Sequence, residues 1–284
     1  MKFMRAAWWL SLLLLFSLGG CSSVQRVGGK PAPKLYKKAV SLSPGATEFA
    51  ALFLRPMKLI GVTESCDYPD SIGNVGVVMK GVKPNYELIA DLEPDLVIYD
   101  GDLFGADDLS KFKELNIDTY DVGAQTLQEY REKLQRLASM TGSEMMMSDY
   151  LSRITAKLDA AVSIKPDAPK RVAVMLPGKG TEHMVAGTES FLADVARHTG
   201  GNPVGPKGKL FMPVNAESLI QMDPEVIVVA GTDAQSILSD ARLKGITAVK
   251  KGLVRRVDPD IALRKGARVD NLVDALSNIM AAAN

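Results

Sequence analysis

Most apolar positions in this chain fall in short continuous runs, not in an alternating pattern. Residues 39–42, 58–62, 95–99, 117–121, 171–176, 183–186, 225–230 and 253–257 each read as a strand. A run without a polar break, such as Leu96-Val97-Ile98, suits a parallel strand buried on both faces. Helix signals lie between the runs. Ser43 caps a helix with Pro44 at its first position and carries it through Glu48, Phe49 and Leu52. A second helix covers 107–115. Thr188 is placed to cap a third, which ends at Thr199-Gly200-Gly201. The last, 268–282, lines up Val269, Leu272, Val273, Leu276, Ile279 and Met280 on one face. This order predicts an α/β fold with mostly parallel sheets.

The spacing changes over 126–164. Thr126 followed by Glu129 is a capping-box start. Leu127, Tyr130, Leu134 and Leu137, then Met147, Leu151, Ile154 and Leu158, recur at helical intervals, broken near Thr141-Gly142. The second piece, 143–164, reads as a long helix joining two halves. The run Met145-Met146-Met147 reads as flexible packing residues on it.

The two halves repeat one another. NYELIADLEPDLVIYDG at 85–101 returns as NAESLIQMDPEVIVVAG at 215–231. Asn85 matches Asn215, Glu87 matches Glu217, Pro94 matches Pro224 and Gly101 matches Gly231. Each copy reads as a short helix, a turn at an acidic-Pro-acidic step, and a buried strand. A single long-range repeat predicts two similar lobes instead of a solenoid, and a cleft between lobes is a favoured ligand site.

The ends add a location. Lys2 and Arg5 precede an apolar stretch, 6–18, too short for a comfortable membrane span, then Leu18-Gly19-Gly20-Cys21. This reads as a lipoprotein signal over 1–20, with Cys21 lipidated and the mature chain held outside the cytoplasm on a membrane. Residues 21–38, rich in Ser, Gly, Pro and Lys, read as a flexible tether. The remaining boundaries are 39–125 for the N-terminal lobe, 126–168 for the linking helices and 169–284 for the C-terminal lobe. Without Lys2 and Arg5 the 34 basic residues fall one short of the 33 acidic ones. That balance gives no basic face for nucleic acid. Cys66 is the remaining thiol, so no intramolecular disulfide is expected.

No catalytic signature is present. There is no G-x-S-x-G, no Walker A loop and no strand-linked GxGxxG. The segment Pro177-Gly178-Lys179-Gly180-Thr181 lacks phosphate-loop spacing. A lipid-anchored hydrolase is the remote alternative. His183 and His198 are the only imidazoles, too few for a zinc or manganese carrier.

Ser41-Leu42-Ser43-Pro44-Gly45-Ala46-Thr47-Glu48, Leu59-Ile60-Gly61-Val62-Thr63, Cys66-Asp67-Tyr68-Pro69 and Gly200-Gly201-Asn202 together resemble the cobalamin-binding branch of the class III substrate-binding proteins of ABC importers. The resemblance covers the mature body. It implies two Rossmann-like lobes joined by one long helix, no catalysis and no resident cofactor. It implies a monomer that captures cobalamin or a related corrinoid and delivers it to a permease dimer with its cytoplasmic ATPase. Haem or a ferric siderophore is the alternative within the class. The matching docking glutamates are Glu87 and Glu217, for which helix-start stabilisation is the competing reading. Loops at the carboxyl ends of the strands supply the ligand candidates: Ser43, Pro44, Asp67, Tyr68, Met79, Tyr99, Asp100, Phe104, Phe211, Gly231 and Arg264. If the ligand is haem, Met79, Tyr68 or His183 would hold its iron. The mature chain departs from cobalamin binders in having no Trp. The segment Arg264-Lys265-Gly266-Ala267-Arg268 lacks prolines usual at that place.

Overall fold

A computed structural model describes residues 34–163, 168–178, 182–231 and 233–283. The signal segment, Cys21 and the first part of the tether lie outside them, as do Lys179, Gly180 and Thr181. The tether ends earlier than its composition predicts. Tyr36 donates its backbone N–H to Met140 and its hydroxyl to Asp118, so the chain is already packed on the body there.

The first lobe comprises β1 (Lys38–Ser41), α1 (Pro44–Phe53), β2 (Lys58–Thr63), β3 (Val77–Lys80), β4 (Lys83–Pro84), α2 (Tyr86–Asp91), β5 (Leu96–Tyr99), α3 (Ala106–Glu114) and β6 (Asp118–Asp121). Its sheet runs β4-β3-β2-β1-β5-β6, parallel except for the β3–β4 pair. Side chains alternate across β5. Leu96 and Ile98 face one core cluster, and Val97 and Tyr99 face another.

Two helices follow, α4 (Leu127–Thr141) and α5 (Glu144–Ser163). Thr126 caps the first by accepting from the Glu129 N–H, and Gly142 ends it in the left-handed conformation. Their apolar stripe does not form a free rod. Tyr130, Leu134, Leu137, Tyr150 and Ile154 join one core that also holds Phe49 of the first lobe and Val172, Val226 and Leu276 of the second. Met147 is in this core, whereas Met145 and Met146 are exposed.

The second lobe comprises β7 (Lys170–Leu176), β8 (Glu182–Ala186), α6 (Phe191–His198), β9 (Gly201–Pro203), β10 (Phe211–Asn215), α7 (Ala216–Met222), β11 (Val226–Ala230), α8 (Gln235–Ser239), α9 (Thr247–Lys250), β12 (Val254–Val257), α10 (Pro259–Ala262) and α11 (Val269–Ala282). Its sheet runs β10-β8-β7-β11-β12, with β9 beside β7 and β8 antiparallel to both neighbours. The cap of α6 is Ser190 and not Thr188. Thr188 instead donates its hydroxyl and its N–H to Pro206.

The sequence repeat is a structural one. Asn85 and Asn215 cap α2 and α7, each accepting from an N–H three residues on. Glu93 and Asp223, before the matched prolines, both adopt positive φ. After the prolines, Asp95 accepts from the N–H groups of Lys37 and Lys38, and Glu225 from that of Arg171. The acidic-Pro-acidic step thus pins each strand to its parallel neighbour.

Candidate functional site

A cavity of about 400 Å3 opens where both sheets present the carboxyl ends of their central strands. In the first lobe the sheet's strand order turns at β1 and β5, and in the second at β7 and β11, the positions where α/β sheets leave a crevice. Ser43 and Pro44 follow β1, Asp100 and Asp102 follow β5, and Leu176 ends β7. The amino ends of α1 and α6 face the same space. Each is capped by its own serine, Ser43 or Ser190, which accepts from the N–H three residues on at 3.3 Å. The walls are mainly apolar: Leu103, Leu176, Phe191, Leu192, Phe211 and Leu263.

Among the described residues, three cations reach the lining: Lys209, Arg264 and Lys265. Two of them are spent on carboxylates of the opposite lobe. Arg264 grips Asp67 in bidentate fashion and also pairs with Asp260 at 2.7 Å. Lys265 pairs with Asp100 at 2.9 Å and Asp102 at 2.6 Å. The Arg264 hydrogen bonds hold the Asp67 carboxyl below its usual range. Burial pushes Asp102 up, but Lys265 and Gln125 outweigh it and the net shift is down. Burial likewise works against the Lys265 charge, and the two aspartates reverse it.

The same five-residue segment fastens the lobes further in. Arg268 pairs with the buried Glu48 at 2.7 Å and lies over the Tyr68 ring at 4.4 Å. The Tyr130 hydroxyl donates to the Gly266 carbonyl at 2.7 Å. Two glycines permit this closeness. A Cβ on Gly45 would fall 2.0 Å from the Arg264 carbonyl oxygen, and one on Gly266 would fall 2.4 Å from Glu48 Oε2. Residues 264–268 thus tie the two lobes together, while Leu103 and Leu210 stand exposed at the edge of the cavity.

Ser43, Pro44, Asp100, Phe211 and Arg264 meet at this cavity. The other candidates do not line it. Met79, Tyr99 and Phe104 are drawn into the core of the first lobe, where Tyr99 and Phe104 pack edge to face at 5.8 Å. Strand alternation turns Tyr99 inward with Val97, and β3 pairing does the same for Met79. Tyr68 lies under Arg268, and Asp67 meets the cleft only through Arg264. Gly231 is engaged with β12, donating to Val257 and accepting from Arg256. His183 is buried in the second lobe, with Nδ1 accepting from the Gly178 N–H and Nε2 3.5 Å from Asp240.

Phe191, Leu192, Gln125 and Lys209 were not legible as lining residues. Phe191 and Leu192 would have followed from placing the α6 cap at Ser190. Lys209 carried no signal, because its loop has no counterpart in the repeat.

Comparison with known proteins agrees with this geometry. Residues 40–261 match the model of the family described as periplasmic binding protein. The ABC transporter substrate-binding lipoprotein YvrC of Bacillus subtilis (strain 168) is 24% identical over 85% of this chain and 79% of its own. Among solved structures, the vitamin B12 binding protein BtuF of Vibrio cholerae superposes with a TM-score of 0.75 at 22% identity, covering 88% of this chain and 99% of BtuF. The haem binding protein HutB of Vibrio cholerae gives 0.73 at 19% identity, over 86% and 97%. With most of its length matched by the family model and its two mixed α/β lobes closing on one cleft, the chain belongs to the periplasmic binding protein family, as a substrate-binding transport protein and not an enzyme.

Proposed function

We propose that this protein captures cobalamin or a related corrinoid in the cleft and delivers it to the permease of an ABC importer. The likeness to YvrC supports the importer, and the likeness to BtuF supports the corrinoid. The observation that carries the ligand class is the composition of the wall. Among the described residues that line the cavity, none is His, Met, Tyr or Cys. Haem needs such a side chain on its iron, whereas a corrinoid brings its metal in a ring that apolar walls and rim donors can hold. The Met79 and Tyr68 positions considered for haem iron lie off the cavity. Arg264 and Lys265 are neutralised by aspartates, which leaves little excess positive charge for an anionic ferric chelate.

A corrinoid is large for a cavity of about 400 Å3. Binding therefore parts the outer rim while the 264–268 bolt stays shut. Delivery follows from the exposed pair Glu87 and Glu217, one per lobe in the first turns of α2 and α7, as the contacts for the permease. Anchoring by Cys21 holds the body near that partner.

Thermal unfolding of the mature protein with cyanocobalamin, cobinamide, haemin and a ferric siderophore tests the ligand. A corrinoid at about 100 times its Kd stabilises by about 2.7 kcal/mol. Stabilisation by haemin alone would overturn the corrinoid reading.

A further inference from the structure

A second hollow, of about 360 Å3, shares three wall residues with the cleft: Asp102, Gln125 and Lys209. The main cavity is apolar. The hollow is polar and is built by the first lobe and the start of α4, except for Lys209, which reaches it from the second lobe. Its carboxylates are all engaged. Asp121 accepts from the N–H groups of Gly101 and Gly123 and pairs with Lys133 at 2.6 Å. Asp102 accepts from Lys265 and Gln125. Glu129 accepts from the Gln125 N–H.

The cations differ. Lys133 and Lys265 are paired, as is Arg264 next door. Lys209 is exposed and forms no ion pair or hydrogen bond among the described residues; it acts on Asp102 only through its field. It is the unspent positive charge at the border between an apolar compartment and a polar one.

From this placement we infer that Lys209 is a specificity-determining residue, which receives the phosphodiester of a complete corrinoid's nucleotide arm while the ring lies in the apolar cleft. The inference rests on the corrinoid reading. A complete corrinoid is a broad, amide-edged plate with one arm whose phosphodiester carries a single negative charge, and cobinamide lacks the nucleotide part of that arm. The two compartments match plate and arm. Lys209, the one neighbouring cation without a carboxylate partner among the described residues, matches the charge. Because Lys209 comes from the lobe opposite the rest of the hollow, an arm held there also ties the two rims together.

Equilibrium binding of cyanocobalamin and dicyanocobinamide to the wild type, Lys209→Gln and Lys209→Arg tests it. The glutamine variant binds cyanocobalamin roughly fivefold more weakly, the scale of one partly exposed ion pair. Its cobinamide affinity is unchanged, which also shows that the cleft is intact. The arginine variant retains cyanocobalamin affinity. Raising the salt weakens cyanocobalamin binding in the wild type more than in Lys209→Gln. An equal loss for both ligands, or a loss for neither, overturns the assignment of Lys209 and leaves the corrinoid reading standing. A wild type that binds neither corrinoid overturns both.

Discussion

Glu48 is 1% exposed, and its carboxylate depends on Arg268 for compensation. The partner comes from the other lobe, 220 residues along the chain. Removing one member of a buried pair strands the other, at a cost of about 3–5 kcal/mol, whereas replacing both with residues of similar volume is often neutral. Arg268→Met should therefore lower stability by about 3 kcal/mol or more, because it leaves a carboxylate with almost no access to water. Glu48→Gln with Arg268→Met should recover most of that loss. Denaturant titration of the two single variants and the double variant gives the coupling, and additive losses would mean that the pair does not fasten the lobes. Residue types alone did not reveal this pairing. Ser43 and Pro44 were legible at the cleft because a serine cap and a proline have local signatures. Glu48 and Lys265 have none, since their roles depend on which opposite charge of the other lobe comes near, and Arg264 was expected at the cleft without its grip on Asp67.

Among the elements, the repeated helices carry the clearest local signal. Asn85 and Asn215 each satisfy one amide at the start of α2 or α7 that the helix itself leaves free. Asn85→Ala and Asn215→Ala should each cost about 1 kcal/mol. Their losses should add within about 0.5 kcal/mol in the double variant, as the caps belong to different sheets. Thermal or denaturant unfolding checks both statements; a cap whose loss is silent would not be holding its helix. Long helices and unbroken apolar strands were readable from spacing. The pairs β3–β4 and β8–β10 were not read as paired strands, because short antiparallel edges are defined by the partner they meet. The start of α6 was missed by two residues, since Thr188 and Ser190 are both competent caps and only packing chooses between them.

The whole molecule places one exposed glutamate on each lobe, at equivalent points of equivalent helices. Exposed charges set register and encounter rate more than affinity. Reversing both, Glu87→Arg with Glu217→Arg, should abolish uptake in cells while ligand affinity stays within about twofold, since neither residue lines the cleft. Uptake assays beside equilibrium binding check this, and normal uptake by the double variant would remove these residues from the contact with the permease. The sequence by itself determined the α/β class, the two lobes, the linking helices and the matched glutamates. Those follow from periodicity, caps and repetition, which act over a few residues at a time. The tertiary structure alone decided which side chains wall the cleft. It turned Met79, Tyr99 and Phe104 into a core and brought Lys209 and Lys265 to the cavity. It also joined the lobes through Arg264 and Arg268. A cleft between lobes is built from loops far apart in the chain, and the electrostatics of such a place depend on distances that no local pattern records.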